Sequence, residues 1–174
     1  MDEQAFKLFN HQGKFLCNIG RTGQGPGEYK VLYGATLNEK FDKICLAPFY
    51  GKSLLEYNFR GEFLQSIDVS VIVKGQVRYQ PDGSLLLTHL QFANSPTFQY
   101  LHVDTTGIKT YINDDSKLIS SIDEEGNFIG FNNEIWAGNN TSEFTYHIFE
   151  TDTLYRFNPQ THKTYPRFAL NNFC

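Results

Sequence analysis

The sequence predicts an all-β fold made of short antiparallel strands. Aromatic residues make up 16% of the 174 residues, with 16 Phe and 10 Tyr, and only one Met is present. Phe and Tyr are enriched in strands, whereas Met is a good helix former. Short alternating apolar segments recur along the chain, and no segment repeats its apolar residues with the period of an amphipathic helix. Composition and pattern therefore agree on strands and turns.

A hairpin sequence recurs along the chain and indicates how the strands are grouped. Residues 9–16 read aromatic, Asn, two variable residues, Gly, charged residue, Phe and Leu, and residues 57–64 repeat that order. Weaker copies follow at residues 100–111 and 154–165. The copies recur about every 46 to 55 residues, which is close to the length of one β-propeller blade. A β-sandwich or barrel is the alternative, but it does not predict a recurring turn sequence.

Each copy is predicted to turn tightly at one position. These turn positions are Gly13, Gly61, Gly107 and His162. Gly accepts the positive φ that such turns require, and the Asn or Asp that begins each turn can bond to the backbone two residues on. Further strands are predicted at residues 42–47, 83–88, 133–137 and 144–149.

These elements predict a single β-propeller segment over residues 1–174, with roughly three to four blades of short antiparallel strands. A closed ring usually contains about 4 to 8 blades, so we expect this segment to belong to a larger propeller. An open segment also leaves strand edges exposed, which predicts possible self-association through them.

Charge and composition exclude several classes of function. The 15 Lys and Arg residues against 19 Asp and Glu residues give a net charge of −4, and no basic block is present, so we expect no nucleic-acid partner. No apolar stretch is long enough for a membrane span, and Met1–Gln4 lacks the basic and apolar regions of a signal peptide. Cys17, Cys45 and Cys174 follow no zinc-site or disulfide spacing.

The most distinctive local sequence is the glycine-rich loop, residues 19–29. It matches neither the G-x-G-x-x-G nor the G-K-[ST] phosphate-binding pattern, and no helical pattern follows it, so nucleotide binding is disfavoured. We interpret it as a connection between blades, in which glycines allow close backbone approach and Glu28 and Tyr29 tie the loop to the neighbouring blade. If the loop binds a ligand, the candidate residues are Arg21, Gln24, Glu28 and Tyr29.

The sequence resembles the six-bladed propellers of Bacteroidetes-type bacteria, which are relatives of the NHL-repeat propellers. The resemblance rests on residues 9–16 leading through Ile19-Gly20 into residues 23–29, and it continues at residues 55–64 and 151–156. It implies a six-bladed ring outside the cytoplasm, usually behind a lipoprotein signal and mostly without assigned activity. This chain carries no such signal and is short for six blades, which suggests missing N-terminal residues.

Two functions are weighed. The first is a non-catalytic propeller module that binds a protein partner, a small molecule or a glycan. The alternative, implied by relatives of the resembled family, is a metal-assisted lyase or hydrolase with its site at the channel mouth. No two histidines are paired at i, i+2 or i, i+4, and no nucleophile pattern is present, so we predict no catalytic residue, no metal ligand set and no cofactor.

Overall fold

The computed structural model describes residues 5–49, 51–69, 74–88, 100–112, 135–138, 144–148, 152–158 and 160–169. The described residues form strands and one short 3₁₀ helix at Glu39–Phe41. The strands are β1 Phe6–Phe9, β2 Phe15–Ile19, β3 Arg21–Thr22, β4 Glu28–Tyr29, β5 Leu32–Asn38, β6 Lys43–Pro48, β7 Ser53–Tyr57, β8 Phe63–Asp68, β9 Gln76–Tyr79, β10 Leu85–Thr88, β11 Tyr100–Val103, β12 Lys109–Ile112, β13 Ile135–Gly138, β14 Phe144–Ile148, β15 Thr153–Asn158 and β16 Lys163–Ala169.

Apart from the short parallel pair of β3 and β4, the strands assemble into small antiparallel sheets in which chain neighbours pair. β5 to β8 form one four-stranded sheet in sequence order, and β13 to β16 form another. β1 pairs with β2, and β10 to β12 pair in sequence order. Up-and-down sheets of this kind are propeller-like blades. The predicted all-β, propeller-like fold is therefore confirmed.

The chain divides into two compact units, Met1–Tyr79 and Gln80–Cys174. In the first unit a core cluster joins β2, β4, β6 and β7, and its buried members are Ile19, Tyr29, Ile44, Leu46, Leu55 and Tyr57. In the second unit Tyr100 packs against Phe157 and Tyr146, with ring centroids 4.9 and 5.0 Å apart. Burial of each large apolar side chain contributes about 1.5–3 kcal/mol. The single propeller segment over residues 1–174 stays a prediction.

The four predicted turns adopt the expected geometry. The φ values are 76° at Gly13, 81° at Gly61, 87° at Gly107 and 53° at His162. In the second turn the Asn58 Oδ1 atom accepts the backbone N–H groups of Arg60 and Glu62, both at 3.0 Å. Asn10 and Asp104 accept the corresponding pairs of N–H groups in their own turns. The Asx residue and the positive φ are therefore confirmed as the mechanical basis of the repeat.

The remaining strand predictions are met in part. The predicted segments at residues 42–47 and 83–88 contain β6 and β10. β13 overlaps the predicted segment at residues 133–137, and β14 lies in the one at residues 144–149. Residues 133, 134 and 149 lie outside the described part of the chain. β5 and β9 were not predicted, because β5 lacks a regular alternation and β9 alternates over only four residues. The N-terminal tetrapeptide and Cys174 also lie outside the described residues.

Candidate functional site

The glycine-rich loop folds back on itself between two short parallel strands. β3 pairs with β4 so that Arg21 lies opposite Glu28. The N–H group of Gly23 donates to the carbonyl of Tyr29 at 3.1 Å, and that of Glu28 donates to the carbonyl of Gly25 at 3.0 Å. These bonds close the loop locally and use the N–H groups of Gly23 and Glu28.

Glu28 holds the loop in shape from within. Its Oε2 atom accepts the N–H group of Gly25 at 2.8 Å, and its Oε1 atom pairs with the Arg21 guanidinium. The Gly25 bond and the Arg21 partner lower the pKa of the Glu28 carboxyl, so it is ionised at neutral pH. A Cβ atom at Gly23 would overlap this carboxylate, which explains a glycine there. Contrary to our interpretation of the sequence, these contacts of Glu28 are inside the loop and not to a neighbouring sheet.

Tyr29 makes the contact to the neighbouring sheet that we expected of it. The side chain is only 3% exposed. Its hydroxyl donates to the Ile19 carbonyl of β2 at 2.9 Å and accepts the Phe6 N–H group of β1 at 2.7 Å. Tyr29 thus joins the loop to both strands of the first sheet.

A second buried tyrosine fixes the other end of the loop. The Tyr57 hydroxyl, on β7, donates to the carbonyl of Gly27. Burial raises the pKa of Tyr57, so the phenol stays protonated and can donate. A Cβ at Gly27, where φ is 70°, would come within 2.7 Å of the Phe63 ring. The loop is therefore held rigidly between β1, β2 and the hairpin of β7 and β8.

This rigid loop forms one wall of a groove of about 300 Å³. The opposite wall comes from β7, β8 and the segment before β7. The side chains of most interest there are Phe49, Lys52, Ser53, Leu55 and Ser66, and the residues from the loop side include Pro26, Glu28, Tyr29 and Lys30. The groove combines hydroxyl groups and an apolar floor with two lysines, which is a composition suited to a small polar ligand.

The electrostatic balance of the groove is positive. Lys30 and Lys52 are exposed at its rim. The charge of Glu28 is compensated by Arg21, and the Ser53 hydroxyl donates to Asp68 Oδ1 at 2.9 Å. A ligand that carries an anionic group would therefore meet two ammonium groups without a competing free carboxylate from Glu28.

The four predicted site residues fall in different places. Glu28 and Tyr29 line the groove, Arg21 is exposed and supports Glu28, and Gln24 is exposed outside the groove lining. Lys52, Ser53 and Ser66 of the opposite wall were missed, because they follow the loop by more than twenty residues and carry no motif. Only the packing of β7 and β8 beside the loop shows them together.

A buried polar cluster around Glu56 lies elsewhere in the first unit. The carboxylate is 2% exposed and bonds to Lys43 Nζ at 3.2 Å, Gln65 Nε2 at 2.6 Å and the Tyr79 hydroxyl at 2.6 Å. Burial raises the pKa of Tyr79 and of Cys45, which lies opposite Glu56. Phenol and thiol therefore remain protonated at neutral pH. The cluster is satisfied internally, which indicates a structural role.

Two histidines that are distant in sequence meet in the second unit. His162 Nε2 lies 3.4 Å from His102 Nδ1. Burial, and secondarily the charge of His162, lowers the pKa of His102, whereas Asp82 and Asp104 act in the opposite direction. His11 is exposed beside Glu39, and His89 lies outside the described residues. Within the described residues, no group of three or more His, Cys, Asp or Glu side chains is arranged to hold a metal ion.

The fold and sequence have recognisable relatives. A family model, described as a domain of unknown function and designated DUF4934, matches residues 1–172. No curated protein matches the sequence. In the described part of the chain, no helix has the length and apolar character needed to cross a membrane.

Three solved structures with this fold are informative. Protein BF0058 of Bacteroides fragilis is 20% identical with a TM-score of 0.63, over 92% of this chain and 44% of that one. An auxiliary nutrient binding protein of Bacteroides thetaiotaomicron is 12% identical with a TM-score of 0.57, over 95% and 44%. Virginiamycin B lyase of Staphylococcus aureus is 11% identical with a TM-score of 0.59, over 98% and 50%. The chain thus spans about half the length of these proteins.

Proposed function

The chain belongs to the DUF4934 family, and we propose that it is a non-catalytic propeller module that binds a small polar ligand in the groove beside the glycine-rich loop. The observation that carries this proposal is the groove itself. Its loop wall is fixed by the hydroxyl groups of Tyr29 and Tyr57, so it is formed before a ligand arrives. A preformed wall avoids the entropic cost of ordering a loop on binding.

The ligand chemistry follows from the groove residues. Lys30 and Lys52 favour an anionic group, such as a carboxylate or phosphate, and the serine hydroxyl groups favour a partner rich in hydroxyls. Phe49 and Leu55 offer apolar surface for the face of a sugar ring. An acidic glycan, or another small anionic molecule of similar size, fits this combination.

The relatives support the same kind of role and a location outside the cytoplasm. One is named an auxiliary nutrient binding protein, and BF0058 is described as a candidate exported protein. At these low identities the likeness is one of fold, so the role and location are carried to this chain by analogy.

We further propose that this segment forms part of a six-bladed ring. The alternative of a metal-assisted lyase or hydrolase stays a prediction, because the likeness to virginiamycin B lyase is likewise one of fold.

The proposal is tested by titrating the protein with a panel of acidic and neutral sugars and small phosphorylated compounds, followed by calorimetry. We expect an acidic ligand to bind more tightly than its neutral counterpart, with an affinity that falls as salt is added. The Lys30→Ala, Lys52→Ala double variant is expected to weaken binding by about tenfold or more, since charged hydrogen bonds contribute roughly 1.5–3 kcal/mol each.

Lys14→Ala is the matched control, because Lys14 is an exposed lysine of the first turn outside the groove. Equal effects of the control and the double variant, or no binding across the panel, would contradict the proposal.

Light scattering on the same samples tests the predicted self-association, which a strictly monomeric profile would oppose.

A further inference from the structure

The pair of His102 and His162 is a feature that the proposed ligand groove does not use. His102 lies on β11, where it pairs across the sheet with Leu86 and Thr110. His162 lies in the turn between β15 and β16. Both side chains are half-buried, and the two facing nitrogen atoms are 3.4 Å apart.

That separation is longer than a good hydrogen bond but suits a shared metal ion. Favourable N–H donors lie roughly 2.7–3.2 Å from their acceptors. Two imidazole nitrogens that each lie about 2.0–2.1 Å from a tetrahedral zinc ion are themselves about 3.3–3.4 Å apart. The observed distance therefore matches the edge of a zinc coordination tetrahedron.

The backbone of His162 is a second, independent observation. Its φ is 53°, in the left-handed region that glycine occupies in the three other turns, although His162 lies four residues after Asn158 and those glycines lie three residues after Asn or Asp. A side chain in this left-handed region is unfavourable compared with glycine. A strained residue that replaces glycine and directs its ring at another histidine is typical of a functional position.

One nitrogen of the His102 ring takes no part in the contact with His162. The Nε2 atom of His102, on the side away from His162, is buried and has no hydrogen-bond partner among the described residues. No hydrogen bond at Nε2 therefore compensates for the burial of this side of the ring.

We propose that His102 Nδ1 and His162 Nε2 form a two-histidine site for a divalent late transition-metal ion, with water completing the coordination. Imidazole suits Zn²⁺, Ni²⁺ and Cu²⁺, whereas Mg²⁺ and Ca²⁺ prefer oxygen ligands. Neither histidine lines the ligand groove, and the two features belong to different units of the chain. The expected role of the two-histidine site is to join the turn after β15 to β11.

The test is a calorimetric titration of the full chain, with any affinity tag removed, using Zn²⁺ alone. We expect about one ion per chain. His162→Gly should weaken binding by more than about tenfold, because loss of even a supporting partner of a ligand costs about 10–100-fold. This variant carries the residue that the other turns have, so its fold is expected to be retained. His102→Gln should weaken binding to the same extent, and His11→Gln, at an exposed histidine of the first unit, should leave it unchanged.

Nitrogen NMR of the imidazole rings supplies a readout that a purely structural pair would not give. On addition of Zn²⁺ we expect the resonances of His102 Nδ1 and His162 Nε2 to shift together. No stoichiometric binding, unchanged binding in either His102→Gln or His162→Gly, or zinc-induced shifts only at other histidines would overturn the proposal.

Discussion

The hairpin turns at Gly13 and Gly61 follow the same sequence order and the same hydrogen-bond pattern, yet they lie in different surroundings. A Cβ atom at Gly61 would lie 2.6 Å from the Asn18 carbonyl oxygen, whereas one at Gly13 would meet nothing within 4 Å. The aromatic residues before the two turns differ too, since Tyr57 is 1% exposed and Phe9 is 51% exposed. One local sequence therefore serves as an exposed turn in one place and as a packed contact in another.

The packed turn also carries polar contacts that connect it to its surroundings. The buried Asn58 side chain donates to Glu62, and the N–H group of Phe59 donates to Asp42 Oδ1 at 2.8 Å. Tyr57, directly before this turn, holds the glycine-rich loop through Gly27. The second copy of the repeat therefore supports the candidate site, whereas the contact of the first turn with Glu39, through His11, is exposed on both sides.

The largest expected difference comes from replacing the two glycines. Gly61→Ala should lower the free energy of unfolding by about 2–4 kcal/mol, because it combines an unfavourable positive φ with a clash against backbone. Gly13→Ala should lower the free energy of unfolding by only about 1–2 kcal/mol, because the positive φ of 76° is its one unfavourable feature. Urea denaturation followed by circular dichroism measures both. Equal losses of unfolding free energy in the two variants would show that the close contact of Gly61 with β2 does not affect stability.

The next comparison uses the asparagines that begin the turns. Asn58→Ala is expected to lower the free energy of unfolding by about 2–3 kcal/mol, because the buried Asn58 side chain is lost and the part-buried N–H groups of Arg60 and Glu62 lose their acceptor. Asn10→Ala should cost about 0.5–1.5 kcal/mol, since water can replace the lost bonds in the more exposed first turn. The same denaturation experiment applies, with Asn10→Asp as the control that keeps the acceptor oxygen, since Asp at position 58 would place a second carboxylate against Glu62. A larger loss at Asn10 than at Asn58 would contradict the comparison.

The smallest expected effect is on the pH dependence of the second turn. Hydrogen bonds from Arg60 and then Asn58 lower the pKa of Glu62 below its ordinary value of 4.5. The folded pKa is lower than the unfolded one, so the stabilisation is present above the unfolded pKa and is lost as pH falls through the folded pKa.

Carboxylate NMR titration should show Arg60→Ala raising the pKa of Glu62 towards 4.5. The first turn has Lys14 at the corresponding position and should contribute no such acid-sensitive term. A Glu62 pKa that is unchanged in Arg60→Ala would argue against the assigned cause.

Local sequence predicted more of the fold than of the sites. The four turns were recognisable because Asn, Asp and Gly act on their own backbone within a few residues. β5 and β9 were missed because the alternation of apolar residues is irregular in β5 and spans only four residues in β9. In the glycine-rich loop the need for close backbone approach at the glycines was predicted from the sequence. The partners of Glu28 were not, because the same sequence allows its carboxylate to bond within the loop or to a neighbouring sheet.

By itself, the sequence determined the all-β character, the repeat and the positions of the turns, because these depend on backbone preferences over short distances. Only the tertiary structure decided that Lys52 faces the glycine-rich loop and that His102 meets His162. Such contacts depend on how separate strands pack, and a residue's spacing along the chain carries no information about that distance. For the same reason Gly13 and Gly61 are equivalent in sequence but unequal in the folded protein.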